Sequence, residues 1–166
     1  MPKSATLVLK ENGLGDAVFG ADADEVVDYI NSIAGTPTSD SGWADPFSAF
    51  GVCPGTEVRG VTWGDLLVLF SDESLVATGR RHFFSYSYGP PFTSSPRPAG
   101  MRTPNGVTLG STVAELRAAH PDVIVTPGDE IFGPSFHVND NFNGFLTGGS
   151  DDDRLETIIG GVGCGE

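Results

Sequence analysis

Basic residues are scarce: 9 Lys and Arg face 22 Asp and Glu across 166 residues, for a formal charge of −13. That balance repels phosphate backbones and anionic headgroups, so nucleic acid and membrane surfaces are not expected partners. Long apolar runs are also lacking. The greasiest stretch, Leu66 to Phe70, has strand length, whereas a membrane helix needs about 20 apolar residues. A hydrophobic fraction of 39% still supports a packed core, because chains near this length bury roughly 70% of their extended surface.

Cysteine is nearly absent. The two present, Cys53 and Cys164, sit in the Gly-rich contexts GVCPG and GVGCGE, which is not the spacing of a metal site. A single pair in an otherwise cysteine-free chain leads us to expect a Cys53–Cys164 disulfide, worth about 4 to 5 kcal/mol by loop-closure entropy. A disulfide in turn points to an oxidising compartment. The start, MPKSATLVLKENG, has no apolar signal-peptide core, so the expectation is a secreted or cell-envelope protein whose leader has been removed.

Catalytic signatures are missing as well. No G-x-S-x-G occurs, and no basic residue neighbours either cysteine in sequence to lower its pKa. Only His82, His120 and His137 offer acid/base chemistry near neutral pH. His120 falls on a helix face before Pro121 and reads as a packing residue; His82 and His137 fall on strands with no nucleophile motif beside them. Asn139 to Gly144, followed by Ser150 to Asp153, has the oxygen-rich look of a calcium loop. An EF-hand wants Asp first and Glu twelfth, and Asn139 and Ser150 fill those places, so two hairpin turns are the better reading. No metal and no cofactor is expected.

What the chain does contain is an internal echo. Phe19-Gly20-Ala21-Asp22-Ala23-Asp24-Glu25-Val26 aligns with Leu109-Gly110-Ser111-Thr112-Val113-Ala114-Glu115-Leu116. Each copy reads as a chain turning through Gly into a helix opened by a capping box. Ala23, Val26, Val27, Ile30, Ile33 and Ala34 then share one helix face, which Gly35 and Pro37 end; Val113, Leu116 and His120 do the same for a shorter helix ended by Pro121.

Strand periodicity follows each helix. Residues Glu57 to Trp63 and Leu66 to Ser71 flank Gly64-Asp65, a pair suited to a type II′ hairpin, and His82 to Tyr88 adds a third strand. Val123 to Thr126, Phe136 to Val138, Phe142 to Thr147 and Leu155 to Ile159 supply the second set. Residues 89–100, rich in Pro, Ser and Gly, read as a linker. The expected fold is therefore α+β, with two tandem helix-plus-antiparallel-sheet units over 1–88 and 101–166.

The duplicated helix-entry pattern resembles the tandem-repeat beta-lactamase inhibitory protein superfamily and small outer-membrane assembly lipoproteins. Cys53-Pro54-Gly55, Val61-Thr62-Trp63-Gly64-Asp65-Leu66, Gly110-Ser111-Thr112-Val113 and Gly161-Val162-Gly163-Cys164 resemble uncharacterised secreted actinobacterial proteins more closely. The resemblance implies export and, in the inhibitor branch, a concave sheet gripping a partner protein. Inhibitors of that branch carry a disulfide within each repeat, whereas these cysteines lie in different repeats, so no inhibitory residues carry over.

The leading expectation is a non-catalytic extracellular binding module, inhibitor-like, whose partner is an extracellular protein. An envelope-associated structural protein and a hydrolase using a His/carboxylate pair are the alternatives. The binding residues chosen from sequence are Trp43, in an aromatic loop, and Tyr86 and Tyr88, which with Phe84 project from one side of a regular strand.

Overall fold

The computed structural model describes residues 7–45, 47–48, 51–89, 101–131 and 133–162. Three short strands, β1 (Leu9–Lys10), β2 (Gly13–Leu14) and β3 (Ala17–Val18), precede helix α1 (Ala23–Ala34). Then come β4 (Ser39–Asp40), β5 (Phe47–Ser48), β6 (Gly51–Val52), β7 (Val58–Trp63), β8 (Leu66–Glu73) and β9 (Thr78–Tyr88). Helix α2 (Val113–Ala119) and strands β10 (Ile124–Thr126), β11 (Ser135–Asn139), β12 (Phe142–Leu146) and β13 (Leu155–Gly160) complete the described chain.

The helices form where capping chemistry predicts. Asp22 accepts the Glu25 amide at 3.1 Å to open α1, and Gly35, at φ 82°, caps its end by donating to the Asn31 carbonyl. At α2 the box is reciprocal: Thr112 Oγ1 accepts the Glu115 amide at 3.1 Å and Glu115 accepts the Thr112 amide at 3.0 Å. Trp63 pairs with Leu66 across Gly64-Asp65, the two-residue turn expected there, and Gly64 takes the positive φ of 61° that such a turn demands.

The two-unit expectation is overturned. Strands run in the order β10-β11-β12-β13-β9-β8-β7-β4 in one antiparallel sheet. A single row of paired residues, Ile124, His137, Asn143, Ile159, Ser87, Leu67, Thr62 and Ser39, crosses all eight. The protein is mostly β, with two helices of 12 and 7 residues among the described residues and a separate three-stranded sheet β1-β2-β3. Pairing β13 onto β9 satisfies backbone groups that separate units would leave as two open edges. The expected linker falls largely at 90–100, outside the described residues.

One continuous core joins everything. Val26 and Ile30 of α1, Leu116 of α2, and Leu9 and Leu14 of the small sheet bury against Trp63, Phe70, Phe83, Tyr86, Phe136 and Ile158 of the large sheet. Both helices and the small sheet therefore cover the same face. Trp63, fully buried, donates its Nε1–H to Asn31 Oδ1 and to the Gly35 carbonyl, each at 3.0 Å, tying the end of α1 to β7. On the opposite face Cys53, Val58, Leu67, Leu69 and Phe84 form a smaller cluster.

Candidate functional site

The three aromatics chosen from sequence do not meet on a surface. Tyr86 and Tyr88 are 0% and 3% exposed and belong to the main core. They lie on the helix-covered face of β9, and a β-bulge breaks the alternation just before them. Leu69 pairs with Ser85 but Phe70 pairs with Phe83, leaving Phe84 as the extra residue. The bulge reverses side-chain parity, so Phe83 shares the helix-covered face with Tyr86 and Tyr88 while Phe84 points the other way. Tyr86 lies over Gly160, its cross-strand partner, whose missing side chain makes room for the ring, and donates its hydroxyl to the Lys10 carbonyl at 2.8 Å. Burial, and secondarily the Glu11 carboxylate, pushes its pKa far up, so it stays a neutral packing residue.

Trp43 is half-buried, in a segment that runs antiparallel along β7 through the Ser39–Thr62, Asp40–Val61 and Ala44–Val58 pairings. The Arg81 guanidinium lies 4.4 Å over its ring, held there by a two-pronged bond to Glu57 at 2.6 and 3.1 Å. Below it, Arg59 grips Asp40 with two hydrogen bonds at 3.0 and 2.6 Å and reaches Asp24 of α1 at 3.3 Å. Those contacts fasten an edge strand to the sheet and to α1.

Cys53 is 7% exposed in the second cluster; Cys164 lies outside the described residues, and their pairing stays an expectation. The oxygen-rich segment folds as two turns. Asn139 Oδ1 accepts the Asn141 amide at 2.8 Å between β11 and β12. Asp153 accepts the Ser150 amide and the Thr147 hydroxyl, at 2.8 and 2.9 Å, between β12 and β13.

No histidine bonds to a carboxylate within a pocket among the described residues, although His120 and Glu11 line one cleft. His82 is fully buried, with Nε2 2.6 Å from Ser74 Oγ and Nδ1 2.8 Å from the Arg80 carbonyl. His120 caps α2 and meets Phe142 edge-on at 5.2 Å. His137 lies 3.3 Å from Asp140, but the two side chains are 48% and 91% exposed on an open turn.

The feature sequence reasoning missed is an apolar patch at the β8–β9 turn. His82 fastens Ser74, and Ser74 Oγ accepts the Val76 amide at 3.3 Å, so the turn is held from beneath while Leu75 stands 87% exposed at its tip. Beside it Phe19, Phe84, Val76, Gly161 and Val162 line a pocket of about 210 Å³. Gly161 permits it: a Cβ there would meet the Phe19 ring at 2.9 Å. Val18, Val76 and Val162 add exposed apolar surface at 49%, 49% and 44%. The available signal was an apolar Leu-Val pair stranded among the turn residues Asp72 to Gly79.

No family model matches this chain, and no curated protein or solved structure matches it either.

Proposed function

We propose that the protein is a non-catalytic binding module whose partner is a protein that inserts one apolar side chain into the Phe19/Phe84 pocket. The supporting observation is that three of the seven large hydrophobic side chains exposed among the described residues, Leu75, Val76 and Val162, line one pocket. Scattered exposed aliphatics need no explanation, whereas a cluster marks a contact surface. A volume of about 210 Å³ is below the roughly 300–1,000 Å³ of small-molecule sites and suits a single anchoring side chain. Burying Leu75 alone would contribute about 1.5–3 kcal/mol. The charge of −13 favours a partner with a basic rim. Export, expected from the cysteine pair, belongs to the same proposal.

The test compares three baits against the extracellular fraction of the parent organism: the native protein, Leu75→Asp/Val76→Ser, and Ile124→Asp, which alters an exposed residue outside the pocket. A protein retained by the native bait and by Ile124→Asp, with affinity at least about tenfold weaker for the double variant by calorimetry, supports the reading. Equal retention by all three, or no specific retention, refutes it. A concentration-dependent dimer in sedimentation that the double variant abolishes would reassign the patch to self-association.

A further inference from the structure

A cleft of about 550 Å³ opens between the β1–β2 turn, the Thr103–Asn105 turn, the end of α2 and the start of β12. Its size lies within the range of small-molecule sites. Its floor is apolar: Leu9 and Phe142 are 1% and 2% exposed. Around that floor stand side chains with unused donors. Lys10 makes no ion pair, and the carboxamides of Asn12 and Asn105 make no hydrogen bond, among the described residues. Glu11, the one carboxylate in the wall, is occupied by Asn139, whose Nδ2 donates to it at 2.8 Å. Arg102 lies next to the Thr103 wall, its backbone carbonyl accepting the Leu9 amide at 2.9 Å. The Arg102 guanidinium itself donates to the Gly106 carbonyl at 3.0 Å, so Lys10 is the cation that lines the cleft.

His120 forms the remaining polar wall. Its Nε2 is shielded and meets no protein hydrogen-bond partner among the described residues; a buried group left unpaired costs about 1–3 kcal/mol. The bond between Cβ and the ring has a broad torsional minimum, so a modest turn of the imidazole would bring Nε2 to a ligand in the cleft. Free donors above an apolar floor call for acceptors on an apolar body. We infer that this cleft binds a small organic carboxylate with a flat apolar body, the body on Leu9 and Phe142 and the carboxylate toward Lys10 and His120.

Three probes sharing one body test this: phenylacetate, phenylacetamide and phenethylamine, titrated into the intact protein. The readout is the imidazole ¹⁵N resonances, with those of His120 assigned by their loss in His120→Gln. Phenylacetate is expected to move the His120 resonances saturably and to bind at least about tenfold more tightly than the amide, as a charge-assisted bond implies. Lys10→Gln should erase that preference while leaving amide binding intact. No His120 shift with any probe at millimolar concentration, equal binding of acid and amide, or tighter binding of the amine overturns the assignment. The relative affinities of acid, amide and amine for the native protein decide even if a variant fails to fold.

Discussion

Replacing Tyr86 by alanine separates a packing residue from a binding residue. The ring is fully buried, stacks 6.2 Å from Phe19 and fills the space over Gly160. Removing a core aromatic of this kind costs about 3–5 kcal/mol, against a total stability of about 5–15 kcal/mol for a natural domain. Tyr86→Phe keeps the ring and deletes only the hydroxyl that donates to the Lys10 carbonyl, so its cost should be about 0.5–1.5 kcal/mol, or up to about 3 if that carbonyl is left dry. Urea denaturation followed by tryptophan fluorescence gives both values, provided the slope of the transition is unchanged. A loss below about 1 kcal/mol for Tyr86→Ala would show that the ring is not core and would reopen the reading of Tyr86 as a binding residue.

Three other outcomes follow from the same contacts. Thr112→Ala should cost about 1 kcal/mol by removing the reciprocal cap of α2, and an unchanged denaturation midpoint would count against the box. The Asp40 carboxyl is held below its ordinary range by its hydrogen bonds to Arg59, and Asp153 by the Ser150 amide and Thr147 hydroxyl. Groups with depressed folded pKa values stabilise above the unfolded value of about 3.9 and lose that contribution as pH falls through the folded value. Stability should therefore hold down to about pH 4.5 and drop below about 4, less steeply in Asp40→Asn; a main loss between pH 5 and 7 would refute the assignment to these carboxylates. Intact mass should lie two hydrogens below the reduced value, and two alkylatable thiols in the native, unreduced protein would remove the Cys53–Cys164 disulfide.

Legibility followed the range of the interaction. The caps at Asp22 and Thr112, the stop at Gly35 and the Gly64-Asp65 turn each depend on residues within about four positions, and sequence carries them. Joining β13 to β9 sets Ile158 beside Tyr88, residues 70 positions apart in the chain, and no local pattern encodes which free edges will meet. The three short strands before α1 are two residues each, too short for a period to show. Of the two expected capping boxes only the one at Thr112 and Glu115 closes reciprocally, Asp22 accepting the Glu25 amide without the return bond, and the paired entries mislead as architecture. They specify how each helix begins, while strand pairing specifies how many sheets there are.

A register error explains why Phe84 was assigned to the wrong face. Alternation assigns faces correctly only while a strand stays in phase, and a one-residue slip sends every later side chain to the other side. In β9 the slip occurs at Phe84, so a strand read as regular placed Phe84 with the two tyrosines, when Phe84 in fact lies opposite them. The same bulge supplies the pocket: Phe84, turned to the far face, forms one wall and the chain leaving β13 at Gly161 passes close against it. A second irregularity, between Ser71 and Glu73 on β8, lies just before the turn that raises Leu75 and Val76. Bulges are where a sheet can aim side chains away from its core. On this chain the two departures from regular pairing in β8 and β9 border the main cluster of exposed apolar side chains. Restoring phase by deleting Phe84 should therefore dissolve the pocket and misplace Tyr86 and Tyr88 together, whereas Leu75→Asp should remove the contact surface and leave both tyrosines buried.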